Sequence, residues 1–162
     1  MGEVINVDVS KIYKETEFRG TFNPGDFTWL GRKRYTFVKY VALSGTAIAG
    51  LFLHALKTTD TGYTQYSGTV DKTYGVPNLL WGQLQNAPVD GDFVWVQDKG
   101  LNTQIATTDG GVAAGDNLMA HASTDGGLDT LAGTATRIGT ALADDSGTTQ
   151  PAGTMIIDCG VD

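Results

Sequence analysis

Residues 89–121 read VDGDFVWVQDKGLNTQIATTDGGVAAGDNLMAH, and the fold class turns on this stretch. Phe93, Val94, Trp95 and Val96 are aromatic or β-branched and apolar on both faces, the pattern of a strand buried on two sides. Asp98-Lys99-Gly100 puts a glycine where a type I turn followed by a bulge needs φ > 0, which predicts a hairpin there. Leu101, Thr103 and Ile105 then alternate with Asn102, Gln104 and Ala106, the period of a strand with one face in the core. Thr108-Asp109-Gly110-Gly111 predicts the next turn, residues 112–116 another tight passage, and Leu118-Met119 the start of a further strand. The stretch reads as a meander that carries no chemistry of its own.

The same punctuation extends outward. Asn23-Pro24-Gly25-Asp26 is a strong turn signal, Phe27 to Leu30 a short strand, and Gly31-Arg32-Lys33 a turn. Arg34 to Val41 alternates as a strand with aromatics on both faces. Residues 57–76, rich in Thr, Tyr and Gly, read as a long polar surface loop holding at most a minor hairpin. Leu79–Leu84, Leu128–Leu131, Thr134–Leu142 and Met155–Cys159 complete the set of strands. Strands recurring about every 8–12 residues suit a barrel or a sandwich. No long window has a helical period, so no helix longer than about three turns is expected.

A chain of 162 residues and 17.1 kDa suits one domain, here residues 21–162, with an N-terminal arm over residues 1–20. The single Cys159 excludes an intramolecular disulfide framework and reads as a small core residue near the end of the last strand. The net charge of −7 hides an asymmetry. Residues 1–57 hold eight Lys or Arg against five acids, and residues 58–162 hold three against thirteen. An acidic body disfavours non-specific nucleic-acid binding, while the asymmetry suits head-to-tail protein contacts. The bland alternative is that acids simply populate Asp-Gly turns. MGEVINVDVSKIYKE has no charged n-region leading into an apolar stretch, and Val41–Leu56 is short of the ~20 residues of a membrane span. A soluble protein made in a reducing cytoplasm, with no membrane partner, is the expectation.

Chemistry is sparse. There is no nucleophile elbow, Walker loop or dinucleotide fingerprint. His54 and His121 end two similar short stretches, LSGTAIAGLFLHA and GGVAAGDNLMAHA, but no third ligand stands at metal spacing, so both read as structural and no metal or cofactor is expected. Asp144-Asp145 and the Asp-Gly pairs lack a calcium-loop register and read as solvated turns. Contact residues are easier to nominate. Val4, Ile5, Val7 and Ile12 make the arm apolar enough to pair as an added strand on a partner, yet too irregular for a core element. Its removal is accordingly expected to leave the domain's thermal transition unchanged. Arg32, Lys33 and Arg34, flanked by Trp29, form the one basic cluster and suit a protein contact. Tyr63 and Tyr66, with Tyr74, would make the 57–76 loop adhesive.

The segment from Trp81 to Ala141 resembles the small capsid cement, or head decoration, proteins of tailed phages. The shared features, in order, are GDFVWVQDKG, the VAAGDNL step, the TDGGLD turn, RIGTAL and a final apolar strand such as MIIDC. The upstream GRKRYTFVKY followed by AIAG is similar to larger members from marine phages, whereas residues 1–20 and 57–76 match nothing in the family. The resemblance implies an all-β fold, a compact β-barrel or β-tulip-like domain on the capsid exterior of the virion. It implies the major capsid protein as partner, a homotrimer at local three-fold positions, and no catalytic residues. A receptor- or glycan-binding module of a phage fibre or surface array is the alternative, with the tyrosine loop as its binding edge. A small β-fold enzyme with an unrecognised carboxylate pair is a third class.

Overall fold

The computed structural model describes residues 2–19, 21–58, 63–133, 135–145 and 147–159, and of residues 63 and 76–78 the backbone alone. The protein is all-β, and the one helix among the described residues, α1 (Glu15–Phe18), is a single turn. Twelve strands are described: β1 (Phe27–Leu30), β2 (Lys33–Tyr40), β3 (Phe52–Lys57), β4 (Tyr63–Thr69), β5 (Gly75–Leu84), β6 (Phe93–Leu101), β7 (Ala106–Thr107), β8 (Asn117–Ala120), β9 (Leu128–Thr130), β10 (Gly139–Ala141), β11 (Thr149–Gln150) and β12 (Met155–Asp158).

Strands β2, β4, β3, β5 and β6 follow one another edge to edge, and β6 returns to β2, so these five close a ring. The strongest seam is antiparallel β2–β6, from Arg34↔Lys99 to Lys39↔Phe93. The weakest is the parallel β2–β4 pair, limited to Lys39↔Ser67 and Tyr40↔Gly68. From β6 the sheet runs on through β12, β10, β8 and β9 as an open wing.

The ring explains why FVWV is apolar on both faces. Val94 and Val96 join Val38, Tyr40, Leu53, Ala55 and Trp81 in one buried cluster. Their neighbours Phe93 and Trp95 point the other way and join Tyr35 and Phe37 in a second cluster. That aromatic face is covered by the N-terminal segment. Tyr13 exchanges two 2.9 Å backbone hydrogen bonds with Phe93, and Phe18 and Phe22 pack on Phe37 with ring centroids 5.0 and 4.7 Å away. The Lys14 ammonium meets the buried Asp92 carboxylate at the rim. A third cluster, from Phe52 and Leu80 through Leu118, Leu128, Met155, Ile157 and Cys159, binds the wing to the opposite flank of the ring.

Three sequence expectations are corrected. Residues 1–20 are not a free arm: Tyr13 and Phe18 are core residues, because the two-faced strands β2 and β6 need a cover that no later segment supplies. Residues 57–76 are not a surface loop either, since β4 and the start of β5 lie within them and help close the ring. Their Thr and Tyr content is β-compatible, and polarity alone concealed the strands. Asp98-Lys99-Gly100 does not turn the chain. It is a bulge opposite Arg34, and β6 continues to pair with β12 through Leu101↔Ile156.

The expected strand over residues 101–106 is instead mostly a loop held by side-chain amides. Gln97 Nε2 donates to the Leu101 carbonyl at 2.8 Å, and Gln97 Oε1 accepts from the Thr103 amide at 3.1 Å. Asn102 Nδ2 donates to the Gln104 and Pro151 carbonyls at 2.8 and 3.0 Å. These donors replace ladder bonds, so buried backbone groups stay satisfied without a strand.

Candidate functional site

The fold brings both histidines to one cleft, of about 350 Å³, lined by His54, Lys72, Met119, His121 and four alanines. Their sequence positions gave no sign of it. His54 sits within β3, buried beneath Gly75, while His121 follows β8 on the opposite flank. The Lys72 ammonium reaches the Ser123 carbonyl on the same rim. The volume is at the lower end of small-molecule sites.

Beside the cleft, donor atoms of Asp109, His121 and Asp129 lie within 4.8 Å of one another. The ligand types would suit a divalent transition metal, but the ring's hydrogen bonds argue otherwise. His121 Nδ1 accepts from the backbone amides of Ser123 and Thr124, each at 2.8 Å. Two donors converging on Nδ1 leave it unprotonated, so the neutral ring carries its proton on Nε2. A metal-ligating histidine normally donates from its second nitrogen rather than accepting there. Nε2, 3.0 Å from Asp109 Oδ1, is therefore an N–H facing a carboxylate and has no lone pair for an ion. His121 is a turn-forming residue.

The other buried polar side chains have comparable duties. Asp98 Oδ2 accepts from Arg34 Nε at 2.9 Å and from Thr36 Oγ1 at 2.8 Å. Asp26 accepts from the Gly2 and Asn23 amides at 2.8 and 2.7 Å. Asp71 binds the Thr73 amide at 2.8 Å and the Ser44 hydroxyl. Burial pushes the Cys159 thiol well above its ordinary pKa, with the Asp98 carboxylate adding to the shift, so it stays protonated.

The nominated contact residues divide. Ile5 projects into solvent at 75% exposure, but Val4 and Val7 pack against the aromatic cluster and Ile12 against the ring interior. Arg32 is exposed, Lys33 half-buried, and Trp29 stands out at 44%. Arg34 leaves the basic cluster for its ion pair with Asp98, so it is no surface contact residue. Tyr66 is no free tyrosine either: its ring packs on Trp81, centroids 5.5 Å apart, with its backbone held at φ 53°. The Tyr63 side chain lies outside the described residues.

Sequence reading missed two exposed apolar groupings. One is a set of aliphatics on the loops before β3, before β6 and after β6. The Ala42 amide donates to Asp90 Oδ1 at 3.0 Å, joining the loop of Leu43 to that of Val89. A Cβ on Gly50, at φ +98°, would fall 1.9 Å from the Ile105 carbonyl oxygen, so the backbone two residues after Ile48 meets that of Ile105 at a contact only glycine permits. All four aliphatics are exposed, from 47% at Leu43 to 61% at Val89. The second grouping is Leu101 beside Ile156 on the outer face of the wing. Turn-rich flanks hid the first, and the expected hairpin at Gly100 hid the second. Comparison with family models, with curated proteins and with solved structures returns no match.

Proposed function

We propose that the protein is a structural component of a tailed-phage virion, binding the outer surface of the capsid and stabilising the expanded shell. The sequence resemblance gives the class. The observation that carries the reading is the exposure of four aliphatics, Leu43, Ile48, Val89 and Ile105, on loops anchored to one another through the Ala42–Asp90 bond and the Gly50–Ile105 approach. Such a surface suits a protein partner, and the loops need no reordering to meet it. In this reading the partners are the major capsid protein and further copies of the chain in a homotrimer. For the fibre-module alternative, Tyr66 is packed against Trp81 and Tyr74 is the exposed tyrosine among the described side chains of the segment.

The test is co-sedimentation of the purified protein with expanded heads assembled from the major capsid protein of the same genome. Saturable binding, with a rise in the temperature at which the heads fall apart, is expected. Ile48→Asp combined with Ile105→Asp should weaken that binding about tenfold or more, or about 1.4 kcal/mol. Heads that sediment without the protein at any concentration would overturn the proposal.

A further inference from the structure

The wing and the β1–β2 hairpin share one outward face. Register places Trp29, Arg34, Lys99 and Asp158 in one row across β1, β2, β6 and β12. Two residues further along, Leu101 lies directly opposite Ile156. In β12, Met155 and Ile157 are buried while Ile156 and Asp158 are exposed. Polar residues are the rule on the open side of an antiparallel sheet, so Leu101 and Ile156, exposed by 39 and 43%, depart from it. The hairpin tip closes over this pair. Gly100 has φ +95°, and a Cβ there would fall 2.5 Å from the Arg32 carbonyl oxygen, so a glycine seats the tip against β6. Leu101 and Ile156 thus form an apolar pair on this face, Trp29 stands two strands away beyond Lys99 and Arg34, and Arg32 and Lys33 lie at the hairpin tip. Neither Arg32 nor Lys33 has an ion-pair partner among the described residues.

The complement of this face lies on the same protein. Residues 100–162 contain eight acids and one base, Arg137. Asp109 and Asp144 are exposed and Asp116 and Asp125 half-buried on loops, while the half-buried Asp129 lies in β9. We infer that the Trp29–Arg32–Leu101–Ile156 face docks the acidic loops of a second copy of this chain. A face carrying an aliphatic pair, a tryptophan and an arginine suits a protein interface, and opposite potentials orient the encounter. Because the two surfaces differ, the contact is heterologous, and repetition gives a ring of copies where its rotation closes and an open filament where it does not, rather than a two-fold pair. The inference names surfaces for the self-association expected in the virion reading and rests on that reading for its biological setting only.

Sedimentation of the full chain in solution, without heads, tests it. Assembly should grow with protein concentration and weaken with salt. Arg32→Glu with Lys33→Glu should raise the dissociation constant about tenfold or more. Both positions lie at a hairpin tip, so this variant should keep the wild-type thermal transition, and Ile156→Lys provides a second, uncharged-centre disruption. Adding Asp109→Lys and Asp144→Lys to the hairpin variant should restore assembly, because both faces are then reversed together. A wild-type chain that stays monomeric, or assembles equally well with the hairpin reversed, overturns the inference. Loss of head binding by the hairpin variant with no change in self-association would assign the face to the shell, sinking this inference and leaving the virion proposal intact. Assembly that responds as expected in a protein that never binds heads would do the reverse.

Discussion

Arg32 and Arg34 stand two residues apart in one basic run, yet they have opposite roles. Arg34 lies with its guanidinium 2.8 Å from Asp98, and both side chains are largely buried. Removing one partner of such a pair strands the other charge, so Arg34→Ala should cost about 3–5 kcal/mol. Arg32→Ala, at the exposed tip, should change stability by no more than about 0.5 kcal/mol. Urea denaturation of the two variants separates them. Nothing in GRKRY marks which cation turns inward, because the partner is 64 residues away in the chain. Cys159 was legible, since an apolar run leads to it. Its buried, protonated thiol should resist a thiol reagent in the native protein and react fully once denaturant is added. Tyr35 and Tyr40 add a pH dependence, because burial raises both phenols above the usual 10. The unfolded chain loses these protons first, so their contribution is intact below about pH 10 and disappears as pH rises through the folded values. Denaturant midpoints should fall at alkaline pH, and by less in Tyr35→Phe.

At the scale of elements, β1, β2 and β12 were legible to within a residue or two because alternation and turn chemistry agree there, and β6 was legible at its start but not at its end. The errors arose where a local signal was answered by a distant partner. Gly100 has the positive φ that a turn would need, but β12 pairs with β6 through it and the strand runs on. Residues 134–142 promised a longer strand than the three residues of β10, since the pairing available from β12 and β8 is that short. The N-terminal segment was misjudged for lack of periodicity, although periodicity matters little to a segment that contributes individual aromatic anchors. Phe18, against Phe22, Phe37 and Phe93, should cost about 3–5 kcal/mol on replacement by alanine. Deleting residues 1–20 should lower the thermal transition markedly, contrary to the sequence expectation. An unchanged transition would mean that the aromatic face is stable uncovered.

For the whole molecule, the strand spacing pointed to an all-β domain and to a barrel or a sandwich, but not to which strands close the ring. Five strands close a ring only because β2 meets β6 on one edge and divides its other edge between β1 and β4. That division has no local sequence signature. The candidate surfaces were still less legible, since the loops of Leu43 and Val89, or Leu101 and Ile156, become neighbours only after the ring and wing have formed. The β2–β6 seam also sets a timetable for biosynthesis. Its two strands leave the ribosome roughly 60 residues apart, an interval of about 3–12 s at ordinary elongation rates. Throughout it, Tyr13, Phe18, Phe22, Tyr35 and Phe37 are already made while Phe93 and Trp95 are not. The nascent chain therefore carries five of the seven buried aromatics of this cluster before the two that complete it, and should be most prone to association through that face during the interval.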